Sequence, residues 1–254
     1  MSSDLRILIG VVAVALAAGG LYLFFGRADR AGEPERAPEV VEAVPAEPTP
    51  SLEERLSERL KGITLAGSDA AVREIVAALS SQPEVVTWLA NEDLVRRFVA
   101  SVHLIADGKS PRSQLEFLNP KGRFSGLERG DGWVIDPKSY RRYDLVAQSF
   151  AGLDTEGTLR VFRELEPLID EAHREIARPG TTFKMTLRKA FAILLVVPEI
   201  EGDVAVEPKV VTFTYEDENL EALSEVEKQL LRMGPENVAL IQAKIGELAA
   251  GLER

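Results

Sequence analysis

Ile7 to Phe25 is a run of nineteen residues without a charge, and no other stretch limits the chain's possible folds so strongly. Coiled as a helix at 1.5 Å per residue it spans about 28 Å, close to the roughly 30 Å hydrocarbon core of a bilayer. Arg6 stands before it, Arg27 and Arg30 follow it, and Tyr22, Phe24 and Phe25 sit at one end. A lone helix satisfies all its backbone groups internally, so one span suffices in lipid. A cleaved signal peptide is the rival reading, since Ala13-Val14-Ala15 and Ala15-Leu16-Ala17 match small-x-small cleavage patterns. Two features oppose it: Asp4 weakens the charged start, and the apolar run continues well past those alanines. The expectation is an uncleaved, single-pass transmembrane helix over 7–25 behind a six-residue tail. Ala13 with Ala17, and Ala15 with Gly19, are spaced so that two anchors can pack as a homodimer.

The composition then changes sharply. Residues 26–64 read as an acidic, proline-rich linker: Pro34, Pro38, Pro45, Pro48 and Pro50 break helices, while Glu33, Glu35, Glu39, Glu42 and Glu47 repel one another. Such a stretch buries too little apolar surface to fold and favours extended conformations, so twenty residues reach roughly 60 Å. Near its end Leu52, Leu56 and Leu60 mark a short amphipathic helix over 51–61.

Residues 65–254 hold enough chain for one well-buried core. Apolar spacing predicts helices from Ser68-Asp69, from Pro83, and over Glu92 to Ala106 with Asn91 as cap. Glycines and prolines then cluster, and Phe124–Leu127 with Trp133–Ile135 read as two strands joined through Arg129-Gly130-Asp131-Gly132. Further helices are expected after Asp136-Pro137, from Thr155 to Arg178, from Phe183 to Val196, from Asn219 to Met233 and from Pro235 to Leu252. Val204 to Tyr215 alternates like one or two strands, with Pro208 at an edge or boundary. The fold class is α+β, mainly α-helical: a multi-helix domain with one small antiparallel sheet of about three strands.

The formal net charge of -11 removes the usual driving force for nucleic-acid binding. The absence of cysteine removes disulfides, thiolate chemistry and Cys-based zinc sites. Asp170-Glu171-Ala172-His173 spells a helicase box, but no phosphate-binding glycine loop accompanies it. His103 and His173 are the only histidines and lack zinc-hydrolase spacing, and His173 is expected on a helix surface. No serine elbow occurs, and the many acids do not converge on one helix face. No cofactor or metal is implied.

Three polar clusters carry more. Arg96 and Arg97 lie in an apolar helix, Tyr140-Arg141-Arg142-Tyr143 follows the strand pair, and Arg232 to Asn237 joins the last two helices with Gln242 beyond. Guanidinium forks beside tyrosines suit an anionic ligand or a partner's carboxylate. With Arg112, the candidate binding set is Arg96, Arg97, Arg112, Tyr140, Arg141, Tyr143, Arg232, Asn237 and Gln242. The competing reading makes these arginines ion-pair struts between helices.

The same segments carry a resemblance. PEVVTWL (83–89), DLVRRFVA (93–100), Ser110-Pro111-Arg112, DPKSYRRY (136–143), PLIDEAH (167–173) and LLRMGPENVALIQ (230–242) resemble the bacterial DUF3014 family. The resemblance covers nearly all of 65–252. It implies a membrane segment, a variable linker and this domain, placed in the envelope of Gram-negative bacteria, and it implies no reaction. The resulting expectation is an inner-membrane, single-pass protein with a periplasmic domain that binds an envelope protein or acts as a scaffold. The alternatives are an envelope hydrolase using acids near Arg112, Tyr140 and Arg232, or a sensor of an anionic small molecule.

Overall fold

The computed structural model describes residues 58, 60–77, 89–115, 122–210 and 212–254. The 7–25 span, nearly all of the linker with most of its 51–61 helix, and most of the helix expected from Pro83 lie outside the described residues. Among those described, no helix is long and apolar enough to cross a membrane.

A 3-10 turn at Leu65–Gly67 leads into α1 (Asp69–Ala77). The next helix, α2 (Leu94–Ala106), is the hub. Its residues Leu94, Val95, Phe98, Val99, Val102 and Ile105 follow helical spacing and are all buried. Removing each such side chain from water contributes about 1.5–3 kcal/mol, which is why this face lies at the centre. The expected start at Glu92 with Asn91 as cap is corrected. Asp93 adopts a left-handed φ of 57°, and the Asp69 carboxylate accepts the N–H groups of Asp93 (2.8 Å) and Leu94 (2.9 Å). The cap is therefore supplied by the first turn of α1, from 24 residues away.

A 3-10 turn over Arg112–Gln114 precedes a hairpin of β1 (Gly126–Arg129) and β2 (Gly132–Ile135), paired antiparallel with Arg129 opposite Gly132. Gly130 supplies a φ of 64° in the two-residue turn, as the Gly-Asp-Gly pattern requires. The helix expected after Asp136 divides into α3 (Pro137–Arg141) and α4 (Asp144–Ala151). The break at Arg142–Tyr143 accounts for the mixed apolar spacing there and turns Tyr143 fully inward. Asp136 caps α3 by accepting the Lys138 N–H at 2.9 Å, and Ser125 donates to its other oxygen at 3.2 Å, tying the hairpin to the helix.

Two helices that pack on α2 follow: α5 (Thr155–Ile176), capped by Asp154 on the Gly157 N–H, and α6 (Phe183–Leu195), capped by Thr182. A second hairpin, β3 (Val206–Pro208) with β4 (Phe213–Tyr215), replaces the expected third strand. There are thus two two-stranded sheets among the described residues, linked by a Val134–Ala205 bridge and an Ile135 N–H to Val204 carbonyl bond of 3.0 Å. That linkage leaves β4 at an outer edge.

The helix expected over Asn219–Met233 is also two: α7 (Glu218–Glu221) and α8 (Glu225–Leu231). Ser224 interrupts it with a capping box, accepting the Glu227 N–H while the Glu227 carboxylate accepts its own N–H. The final helix, α9 (Pro235–Leu252), packs on α4, α5 and α6. Its buried Lys244 donates to the Leu153 carbonyl (2.9 Å), Thr155 Oγ1 (3.1 Å) and Glu247 (2.5 Å), so the charge is fully engaged.

Candidate functional site

The two most distinctive sequence segments, 136–143 and 230–242, meet in space. Gly234 lies between α8 and α9 with φ 87° and ψ 159°, a backbone region essentially reserved for glycine. It is pressed against the Tyr140 ring so closely that a Cβ would fall 2.5 Å from the ring's Cγ. Asn237, buried in the first turn of α9, locks this junction. Its amide nitrogen donates to the carbonyls of Tyr140 (3.2 Å) and Met233 (2.9 Å) and to Asp144 (3.0 Å). Tyr140 and Asn237 are thus scaffolding for what lies in front of them.

In front is an arginine–tyrosine centre that, together with Tyr140, gathers three of the chain's four tyrosines. The Arg232 guanidinium lies 5.6 Å from the Phe124 ring centre and 5.7 Å from that of Tyr215, and donates to the Phe213 carbonyl at 3.1 Å. Arg142 lies over the Tyr143 ring at 5.3 Å. Burial pushes the Tyr143 phenol up to about 12, against the charges of Arg142, Arg232 and Arg112, which all act on it. Tyr140 is likewise raised to about 12 by burial and by Asp203, and Tyr215 is raised by burial. All three phenols therefore stay protonated at neutral pH.

The centre opens on a cleft of about 630 Å³ between the 110–114 loop, β4 and α8. Arg112, Arg232 and Lys228 reach its surface together with Ser110, Ser113, Thr212 and Thr214. Two carboxylates, Glu221 and Glu225, stand on the same wall. Burial pulls the Glu221 carboxyl upward, but the Tyr215 N–H (2.9 Å) and Lys228 (2.9 Å) outweigh it and hold it below its ordinary range.

The remaining members of the candidate set lie apart. Arg96 pairs in fork geometry with Glu175 (2.8 and 2.9 Å) and with Asp93 (3.0 Å) at the surface, tying α2 to the end of α5. Those hydrogen bonds raise the arginine's pKa and lower that of Glu175. Arg97 donates to the carbonyls of Glu92 (2.9 Å) and Gln114 (3.2 Å), strapping the 112–114 turn to α2. Gln242 donates to the Leu194 (2.9 Å) and Val197 (2.8 Å) carbonyls and closes the end of α6. Arg141 is exposed and does not line the cleft.

A second feature carried no sequence signal. The only two histidines, 70 residues apart, lie Nε2 to Nδ1 at 2.9 Å, and His173 is 2% exposed rather than at the helix surface. The Thr181 carbonyl, 3.2 Å from His173 Nε2, can only accept, so that nitrogen carries the hydrogen. His173 Nδ1 then accepts from His103 Nε2. Burial and then the His173 charge lower the His103 pKa, with Asp107 opposing. His103 borders a second groove of about 360 Å³, whose charged residues are Asp107, Arg178 and Lys189.

Chemically, the cleft offers fixed positive charge and hydroxyl donors, which suits an oxyanion. Among the described residues no cluster of three or more histidine or acidic side chains is arranged to hold a metal. No curated protein and no solved structure matches this chain. A family model described as protein of unknown function (DUF3014) matches residues 94–249, which include both meeting segments and the whole cleft. The chain therefore belongs to the DUF3014 family.

Proposed function

We propose that this chain is a membrane-anchored binding module of the cell envelope, whose cleft at Arg112, Lys228 and Arg232 receives a protein partner. In this reading the Ile7–Phe25 helix sits in the inner membrane, and the acidic, proline-rich stretch spaces a periplasmic domain from the bilayer. The observation that carries it is the cleft itself: three positive side chains, one of them, Arg232, held against the Phe124 and Tyr215 rings, with hydroxyls around them. Neither histidine lines this cleft: His103 borders the other groove and His173 is buried. Fixing Arg232 in advance lowers the ordering cost of binding.

Site-specific photo-crosslinking tests this. A benzoylphenylalanine at Thr214 in the full chain, expressed in native membranes, captures a discrete partner band, and the same probe at exposed Leu240 does not. Equal patterns at the two positions refute a cleft-directed partner. Because the chain has no cysteine, Arg254→Cys gives a clean orientation reporter. A periplasmic domain is labelled by an impermeant maleimide before the inner membrane is opened. The cleft volume also falls in the range of small-molecule sites, which favours an anionic metabolite sensor as the second reading.

A further inference from the structure

Among the described residues five ionisable side chains line the cleft, three positive (Arg112, Lys228, Arg232) and two negative (Glu221, Glu225), an excess of one positive charge. Both acids are engaged: Glu221 by the Tyr215 N–H and Lys228, and Glu225 by the Ser110 N–H at 3.3 Å. A monoanion balances that charge. A phosphate dianion leaves an excess negative charge facing two carboxylates. Arg232 is fixed between Phe124 and Tyr215 with one nitrogen on the Phe213 carbonyl, so its fork is oriented before anything binds. Two outward groups of β4, the Phe213 carbonyl and the Tyr215 N–H, are already taken by Arg232 and Glu221. That weakens this edge as a template for a visiting strand and favours recognition through side chains.

We propose that Arg112 and Arg232 clamp a single carboxylate borne on a side chain of the partner protein, with the cleft hydroxyls contacting the flanking backbone. This rests on the protein-binding reading above. Guanidinium–carboxylate forks are the geometry that a planar monoanion supports best.

The test follows the arginine side-chain Nε–H resonances of the full chain in mild detergent. Three probes are titrated: an acetylated, amidated Ser-Thr-Glu-Thr-Ser peptide, its Gln counterpart, and inorganic phosphate. The Glu peptide shifts the Arg112 and Arg232 resonances saturably, the Gln peptide binds at least tenfold more weakly, and phosphate does not compete at equal concentration. Arg112→Gln weakens the Glu peptide at least tenfold, while Arg141→Gln leaves it unchanged. Equal affinity for the Glu and Gln peptides overturns the clamp, and so does tighter binding of phosphate. The peptide comparison uses the unmutated chain, so it decides the matter even if Arg112→Gln unfolds. If the Glu peptide fails while the Thr214 crosslink still captures a partner, the clamp falls and the protein-binding reading stands. If both fail, both fall.

Discussion

Replacing Gly234 by alanine tests the junction on which the cleft rests. Two costs add. A non-glycine residue held at φ 87°, ψ 159° carries strain of about 1–3 kcal/mol. The new methyl would lie 2.5, 2.8 and 2.9 Å from Tyr140 Cγ, Cβ and Cδ1. These atoms are the root of a packed ring, not a flexible tip, and overpacking of this kind costs about 1–3 kcal/mol. A midpoint near 4 kcal/mol lowers Tm by about 8–16 °C in a domain of this size. Thermal and urea unfolding of the full chain in mild detergent, followed by circular dichroism, measures it. Gly246 provides the contrast. It is exposed within α9 and has nothing within 4 Å of its added methyl, so Gly246→Ala should stabilise by about 0.5–1 kcal/mol. In a Tyr140→Ala background part of the crowding disappears and the Gly234→Ala cost falls toward the strain alone. The reasoning is refuted if Gly234→Ala unfolds within 1 kcal/mol of the parent chain, or if both alanines act in the same direction.

Asn237→Ala leaves the buried Met233 carbonyl and the half-buried acceptors of Tyr140 and Asp144 short of a donor, and should destabilise by about 2–3 kcal/mol in the same assay. Ser224→Ala removes half of the capping box of α8 and should cost about 1 kcal/mol, with Ser224→Asp largely restoring it. For the histidine pair, the folded state binds protons less readily than the unfolded chain, because the His103 pKa is lowered. Its stability is therefore complete above about pH 6.5, the unfolded value, and declines as pH falls below it. Tm measured from pH 8 to pH 5 should drop, and His103→Gln should flatten that drop; an unchanged slope in the variant excludes the pair as its source.

Much of the architecture was legible because its signals are local. Gly234-Pro235 stops one helix and starts the next, Gly130 sits where the hairpin needs a positive φ, and Thr182 caps α6. What was missed depends on contacts between distant residues or on competition between local signals. Nothing near Leu94 reveals that its cap is Asp69, and Asn91 is the better local candidate. The Ser224 and Glu227 pair is itself a start signal, yet it lies inside apolar spacing that continues through it. The candidate set was chosen by residue chemistry, which does not distinguish an arginine that reaches a cleft from one that straps a turn. Arg112 and Arg97 differ only in what lies opposite them. The histidine pair is the extreme case, since neither residue has a neighbour in sequence that points to the other.

The side chains that cover two of the outward groups of β4 also bear on how this chain behaves in a crowd. A short exposed strand with an unpaired edge is a template for pairing with another copy, and so a route to swapped dimers and aggregates. Here the Phe213 carbonyl is covered by Arg232 and the Tyr215 N–H by Glu221. The cover is removable, because one of its halves is a carboxylate. Strong acid, by protonating Glu221, removes the charge that strengthens its bond to the Tyr215 N–H and loosens the Lys228 pair beside it, so that edge opens more readily to a neighbour. Self-association in acid should then begin at this hairpin, before the helical core is lost.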